Sequence, residues 1–338
     1  MSGEAGRNAV LLLAHGTPDV LGEMAEYLGK VTGGRALPQE VVEELQHRYQ
    51  QIGLGETPGA QAPPLTKWTL IQAHLLERAL DRLGDSDTRV YVGMRNWHPY
   101  IADAIAQMRL DGVTHIKAIC LAPQNSRTSV GLYRKAVLAA AGGLEVDFVV
   151  GWAEHPLLAQ AFAERLWPVW ALACAQSGRR VPVLFTAHSV PCRTIMTSGT
   201  PVHPFPDPYP VEAKHTAELV AQRLAVVGFG EKDWYFAFQS QGVSGGPWIG
   251  PTVEDTLKAI KEAGHVGVVM QPVGFLCDHV EILYDIDIAF AEKARELALK
   301  LWRAESLNDS DILINALTEI ASRQYKTDID EVPVPAQV

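Results

Sequence analysis

The sequence predicts an α/β protein built from two similar Rossmann-like lobes, each a parallel sheet flanked by helices, with a ligand cleft between them. Three observations carry that prediction. One strand-to-turn pattern occurs twice, as Ala9-Val10-Leu11-Leu12-Leu13-Ala14-His15-Gly16-Thr17-Pro18 and as Pro182-Val183-Leu184-Phe185-Thr186-Ala187-His188-Ser189-Val190-Pro191. A second pair follows at matching places, since residues 115–123 are answered by residues 265–272, each an apolar run ending at a proline. Strand and helix patterns then alternate along the chain, which gives βαβ units and a parallel sheet in each lobe. Duplicated lobes of this kind turn their strand-end loops toward a shared cleft, where α/β folds bind small molecules.

The elements follow in order. Strands are predicted at 9–14, 89–93, 115–121, 146–150, 181–186, 234–239 and 266–271, mostly β-branched or aliphatic runs bounded by Gly, Pro or polar residues. Helical patterns fall between them at 39–52, 70–83, 100–111, 156–174, 210–226 and 253–263. The lobe boundary is expected between 150 and 175, dividing the chain into lobes 1–165 and 166–338, with the final helix of the second packing on the first. Glycine and proline crowd two loops, 53–64 and 198–210, and the latter also holds His203 and Tyr209. Long irregular segments in a compact chain act more often as binding lips than as linkers.

Composition narrows the function. With 338 residues, 47% of them hydrophobic, the chain can bury a full core in two domains of ordinary size. Its net charge of −10 argues against an electrostatic grip on nucleic acid. No run approaches the roughly 20 apolar residues that span a bilayer. The segment 1–8 is short and polar and the next apolar run has strand length, so no signal peptide is expected. Cys120, Cys174, Cys192 and Cys277 lie far apart, which speaks against a disulfide framework or a zinc knuckle. A cytoplasmic protein is expected.

The chemically loaded segment is Cys277-Asp278-His279-Val280-Glu281-Ile282-Leu283-Tyr284-Asp285-Ile286-Asp287. Asp278 suits an N-cap, and a helix starting there puts Glu281 and Asp285 four residues apart on one face. Two like charges on one face need solvent, a cation or a neutralising proton. A solvated acidic face is one reading, and a divalent-metal or proton-transfer site is the other. His188, expected at the carboxyl end of a strand, supplies an imidazole at the cleft; with a carboxylate from the first turn of another helix it makes an acid/base or metal-relay pair.

These residues carry a resemblance. Thr186-Ala187-His188-Ser189-Val190-Pro191, Phe238-Gln239-Ser240 with Gly246-Pro247-Trp248-Ile249-Gly250-Pro251, the segment from Asp278 to Asp287, and Arg303-Ala304-Glu305-Ser306-Leu307-Asn308 together resemble the ferrochelatase family. In the first half Gly16-Thr17-Pro18, Arg48-Tyr49, Pro64-Leu65-Thr66 and Gly93-Met94-Arg95 through His98-Pro99 fall in that family's order, so the likeness covers nearly the whole chain.

The resemblance implies insertion of ferrous iron into a porphyrin during haem synthesis, with coproporphyrin III as the favoured substrate and protoporphyrin IX as the alternative. His188 and Glu281 match the family's pair above the ring. The resemblance gives proton acceptance and first iron contact to His188, iron coordination and proton removal to Glu281, and to Asp285 a place among the metal residues as an extension of the carboxylate path. The acid often found a further turn along is Ala289 here. Below the ring stands His15, where coproporphyrin-using relatives have tyrosine; it either ligates the product iron, orients the porphyrin, or bonds nearby backbone. Arg48, Tyr49, Ser126 and Tyr133 match or echo positions that hold porphyrin carboxylates.

Departures from the family fall on the presumed lip. An arginine pair is replaced by Thr32-Gly33, leaving Arg35 nearby, and the loop before Pro64 is expanded; Arg127 and Lys67 are candidates to compensate. Trp97, Trp152 and Trp248 are either pocket walls or packing. Fe²⁺ is expected as a substrate rather than a resident cofactor, and no iron-sulfur cluster is expected because no cysteine follows Cys277. Expected partners are the porphyrin, the haem product and a haem-acceptor protein, with no nucleic acid and no membrane span. Two further readings stay open: a chelatase for a more carboxylated tetrapyrrole such as sirohydrochlorin, and a non-enzymatic haem carrier.

Overall fold

The computed structural model describes residues 7–59, 62–196, 205–242 and 246–322. Two four-stranded sheets, parallel throughout, organise them. The first runs through β1 (Arg7–Ala14), α1 (Met24–Val31), α2 (Gln39–Gln51), α3 (Pro64–Arg82), β2 (Arg89–Met94), α4 (Ile101–Leu110), β3 (Val113–Cys120), α5 (Val130–Ala141) and β4 (Glu145–Val149). After α6 (Pro156–Ser177) come β5 (Val183–His188), α7 (Cys192–Ile195), α8 (Tyr209–Arg223), β6 (Trp234–Gln239), α9 (Val253–Glu262), β7 (Gly267–Pro272), α10 (Val280–Leu283), α11 (Ala291–Glu296), β8 (Lys300–Arg303) and α12 (Asp311–Ser322). The spatial orders are β2-β1-β3-β4 and β6-β5-β7-β8, the same winding used twice.

The sequence repeat therefore has a structural meaning. β1 and β5 occupy the same place in their sheets, as do β3 and β7. His188 is the last residue of β5, and His15 directly follows β1. Both imidazoles thus sit at the carboxyl ends of corresponding inner strands, where parallel sheets hold their ligands.

Burial on both faces explains the unbroken apolar runs. On β1, Ala9, Leu11 and Leu13 pack with α4 and α5, while Val10, Leu12 and Ala14 face a second core. That second core is shared: it also takes Val183 and Phe185 of β5 and side chains from α3, α6 and α12. Residue 165 falls within α6, which joins the two sheets and packs against α8 and α12. The α12 helix rests on α3 and α6, and the buried Lys117 of β3 points its ammonium at the carbonyl of Ile320 and pairs with Asp147 at 3.1 Å.

Several elements lie outside the pattern-based expectations or take a form that patterns do not show, among them α1, α5, α7, α11 and β8. β8 is a four-residue, half-buried edge strand, too short for a period to show. The α1 and α5 helices gain their stability from packing, and α5 ends on Gly142 in the left-handed region (φ 49°), which favours glycine. The amphipathic α12 lies in a stretch that reads as polar overall. Asp278 caps no helix: its carboxylate accepts from Ser306 (2.7 Å), Asn308 (3.0 Å) and Arg303 (3.3 Å), tying the chain before α10 to the segment after β8.

The lobes are also clasped at one wall of the cleft. Between β3 and α5, Gln124 donates to Thr216 (3.0 Å) and to the carbonyl of Val273 (3.1 Å), the Asn125 amide donates to Glu212 (2.6 Å), and the Arg127 amide donates to Asp207 (2.8 Å). Burial raises the Glu212 carboxyl to about 7, against the opposing pull of the Asn125 amide. The folded chain thus holds a proton that the unfolded chain releases above its ordinary carboxyl range, so this group lowers stability as pH rises from about 4.5 through 7. A Glu212→Gln variant keeps an acceptor for Asn125 without the charge. We expect it to match the parent at pH 5 and to exceed it by about 1–2 kcal/mol at pH 8 in denaturant titrations; a variant weaker at both values sinks this account.

Candidate active site

The second-lobe wall centres on a carboxylate held between two imidazoles. His188 Nε2 lies 3.0 Å from one oxygen of Glu281, and His279 Nε2 lies 3.3 Å from the other. Each ring is pinned from behind, His188 Nδ1 donating to the carbonyl of Ser189 and His279 Nδ1 to that of Cys277. Both Nε2 atoms are thereby turned to the same carboxylate.

The local fold imposes this arrangement. β5 delivers His188, whose carbonyl accepts from the Tyr209 hydroxyl at 2.8 Å. Gln239, at the end of β6, donates to the Glu281 carbonyl at 2.7 Å and so fixes the first turn of α10. Burial alone disfavours the charged form of His188, but the charge and hydrogen bond of Glu281 outweigh it and raise the imidazole to about 9. Burial likewise acts upward on Glu281, and His188 and His279 more than reverse it, holding the carboxyl well below its ordinary range.

Asp285 is placed differently from the expected helical neighbour of Glu281. At Asp285 the chain leaves α geometry for a π-helical segment, Asp285–Phe290, and the carboxylate accepts from the Ser240 hydroxyl. Arg48 approaches it at 3.8 Å from the first lobe, stacks on the Tyr284 ring and pairs with Glu44 at 2.9 Å. Burial raises Asp285 to about 6, with the Glu281 charge acting in the same direction. Asp287 is paired twice to Arg303, at 2.6 and 3.0 Å. Among the described residues no group of three or more His, Cys, Asp or Glu is arranged to hold a metal ion.

The first-lobe wall carries His15 in a hydrogen-bonded chain. Asn96 lies 3.0 Å from Nε2, and Nδ1 faces the Tyr27 hydroxyl at 3.1 Å and the Gly16 carbonyl at 3.3 Å. The carbonyl can only accept, so Nδ1 carries the proton and Nε2 accepts from the Asn96 amide. Gly16 (φ 90°) has no room for a side chain, since a Cβ there meets the Trp97 backbone nitrogen at 2.7 Å. Burial, and next the charge of Arg95, lower His15 to about 4.

One cleft of about 350 Å³ brings these walls together; His15, Tyr49, Ser126 and Tyr133 line it from the first lobe, and His188 and Glu281 from the second. Arg48 and Asp285 stand outside that lining. His279, Tyr27, Arg95 and Tyr209 line it too and were not singled out from sequence as site residues, although His279 lies two residues from Glu281. Trp97 and Trp152 are buried in packing, the latter donating to the Cys120 carbonyl. Arg127 is held by Asp207 and the Met196 and Phe205 carbonyls, and Lys67 stacks on Trp68, so neither guanidinium nor ammonium lines the cleft. His203 lies outside the described residues.

A testable consequence concerns His15. Its ring should stay neutral throughout pH 5.5–8, visible as flat imidazole ¹⁵N shifts in an NMR titration. A midpoint near 6.5 would mean that the ring is solvated and free of Asn96 and Tyr27.

Known proteins resemble this chain over nearly its whole length. The ferrochelatase family model matches residues 7–325. A ferrochelatase of Acidobacterium capsulatum is 55% identical over 98% of this chain and 98% of its own length, and a coproporphyrin III ferrochelatase of Geobacillus kaustophilus is 31% identical over 95% and 97%. Among solved structures, the cobalt complex of the sirohydrochlorin chelatase SirB from Bacillus subtilis subspecies spizizenii superposes with a TM-score of 0.54 at 10% identity, covering 96% of this chain and 98% of that one, a likeness of fold. Among the described residues no helix is long and apolar enough to cross a membrane. The chain belongs to the ferrochelatase family, the enzymes of haem biosynthesis that insert iron into a porphyrin.

Proposed function

We propose that this ferrochelatase takes coproporphyrin III and releases Fe-coproporphyrin III, with His188 and Glu281 performing the exchange of Fe²⁺ for two pyrrole protons. The observation that carries this reading is the composition of the first-lobe wall. Besides His15 it presents the hydroxyls of Tyr49, Ser126, Thr128, Ser129 and Tyr133 and the guanidinium of Arg95, a surface suited to carboxylates at more than one place on a macrocycle. The relative whose name specifies coproporphyrin III supports it as well.

The proton accounting follows from the ion pair. Without substrate, His188 and Glu281 share one proton, drawn to the imidazole. Fe²⁺ binding to the Glu281 carboxylate replaces that proton's charge and releases it, as metal binding to a protonated site does. His188 is then a neutral base beside the ring and can accept a pyrrole proton. The Nδ1 bond to Ser189 keeps Nε2 as the accepting atom. Asp285, held by Ser240 and close to Arg48, is the next carboxylate toward the outside and serves as an exit for protons. His15 lies on the opposite wall with its Nε2 engaged by Asn96, which favours a positioning role over ligation of the product iron.

The reading includes iron as substrate with no resident cluster, transfer of the poorly soluble product to an acceptor protein, and work in the cytoplasm. Four cysteines without a disulfide partner support that setting.

Anaerobic absorbance assays with Fe²⁺ on coproporphyrin III and protoporphyrin IX in parallel test the substrate. Faster conversion of coproporphyrin is expected, and preference for protoporphyrin overturns the choice. His188→Ala should lower kcat by about 10²-fold or more while porphyrin affinity changes little; unimpaired turnover removes His188 from the chemistry. Glu281→Gln should chiefly raise the KM for iron, and an unchanged iron dependence counts against its ligand role.

A further inference from the structure

Arg95 stands out among the charged groups of the cleft because no carboxylate among the described residues neutralises it. It follows β2, and Asn96 and Trp97 beside it are buried. The carboxylate there is matched, Glu281 facing His188 and His279, and Asp285 just outside the lining is held by Ser240 and Arg48. No Asp or Glu among the described residues lies within ion-pair distance of Arg95, and its Nε is sealed from solvent without an acceptor. Its guanidinium carbon sits 5.6 Å from the centre of the Tyr133 ring.

A half-buried guanidinium is costly unless an anion completes it. The surroundings specify which anion. The Tyr133 phenol, raised by burial, keeps its own proton and can donate it to an anion beside Arg95. Ser126 and Thr128, whose hydroxyls lie 3.5 Å apart, and Ser129 line the same wall. A planar guanidinium beside hydroxyl donors fits a carboxylate, which can take two parallel hydrogen bonds from the arginine fork and a third from a hydroxyl.

We infer that Arg95, with Tyr133, forms a carboxylate subsite inside the cleft, filled by one carboxylate of the porphyrin, and that Arg95 determines specificity for the acid form of the macrocycle. The inference rests on the porphyrin reading above. It differs from the sequence-based assignment of Arg48, whose guanidinium is engaged by Glu44, Asp285 and Tyr284.

Binding without iron separates the two. Fluorescence titrations of the full chain with coproporphyrin III and with its tetramethyl ester isolate the carboxylates from the macrocycle. Arg95→Gln should weaken the free acid by about tenfold or more and leave the ester unchanged, with Arg95→Lys intermediate because an ammonium cannot bind two oxygens in parallel. Tyr133→Phe, which keeps the ring, should weaken the acid by a smaller factor, and thermal melts confirm that each variant is folded. Equal losses for acid and ester, or no loss for the acid, overturn the subsite. Should the parent convert protoporphyrin IX faster than coproporphyrin III while Arg95→Gln still loses the acid selectively, the subsite stands and the choice of porphyrin falls.

Discussion

A half-buried carboxylate with an imidazole on each of its oxygens is the constraint around which the second lobe is arranged. Glu281 can remain ionised in that setting only because His188 and His279 bring compensating hydrogen bonds and charge. Those rings hold their direction because backbone carbonyls take the protons of their far nitrogens. The carbonyls are in turn fixed by secondary structure: one follows β5, and the other precedes α10, where Asp278 is tied to Arg303, Ser306 and Asn308. The chemistry of residues 278–287 and of 303–308 is thus one construction, a rigid mount for a single oxygen pair.

The opposite wall follows another principle. Its groups are mostly neutral and hydrogen-bonded in series, Asn96 to His15 to Tyr27, with burial keeping His15 uncharged and raising the Tyr27 and Tyr49 phenols. A flat macrocycle between the walls would meet an ionised pair on one face and a neutral imidazole on the other. In the exchange proposed above, that asymmetry concentrates charge on the wall where protons and Fe²⁺ would pass. The shared core through α3, α6 and α12 and the clasp at residues 124–127 hold the walls in register. Preorganisation of this kind spares the chain a reorganisation at the moment of reaction.

Much of this was legible from residues alone. Ala14-His15 and Ala187-His188 mark corresponding strand ends, and the duplicated winding β2-β1-β3-β4 and β6-β5-β7-β8 is what such a repeat requires. The β strands with unbroken apolar runs were readable because both of their faces are buried. Edges and helices stabilised by packing were less so: β8 is too short for a period, and α5 follows a loop whose geometry is set by the other lobe. The spacing of Glu281 and Asp285 suggested one helical face, but the π-helical turn re-aims Asp285 toward Ser240, an outcome of tertiary hydrogen bonding that spacing cannot express.

By itself the sequence determined the two-lobed plan, the strand ends that carry the imidazoles and the acidic segment, since periodicity and the run of residue types act locally. Tertiary structure decided which charges are matched. Arg48 and Arg127 read as free guanidinia in the chain, yet one is engaged by Asp285 and Glu44 and the other by Asp207 and backbone carbonyls, while Arg95 has no acid partner among the described residues. A charge's partner depends on distance and burial between segments far apart in sequence, and only the fold brings those segments together.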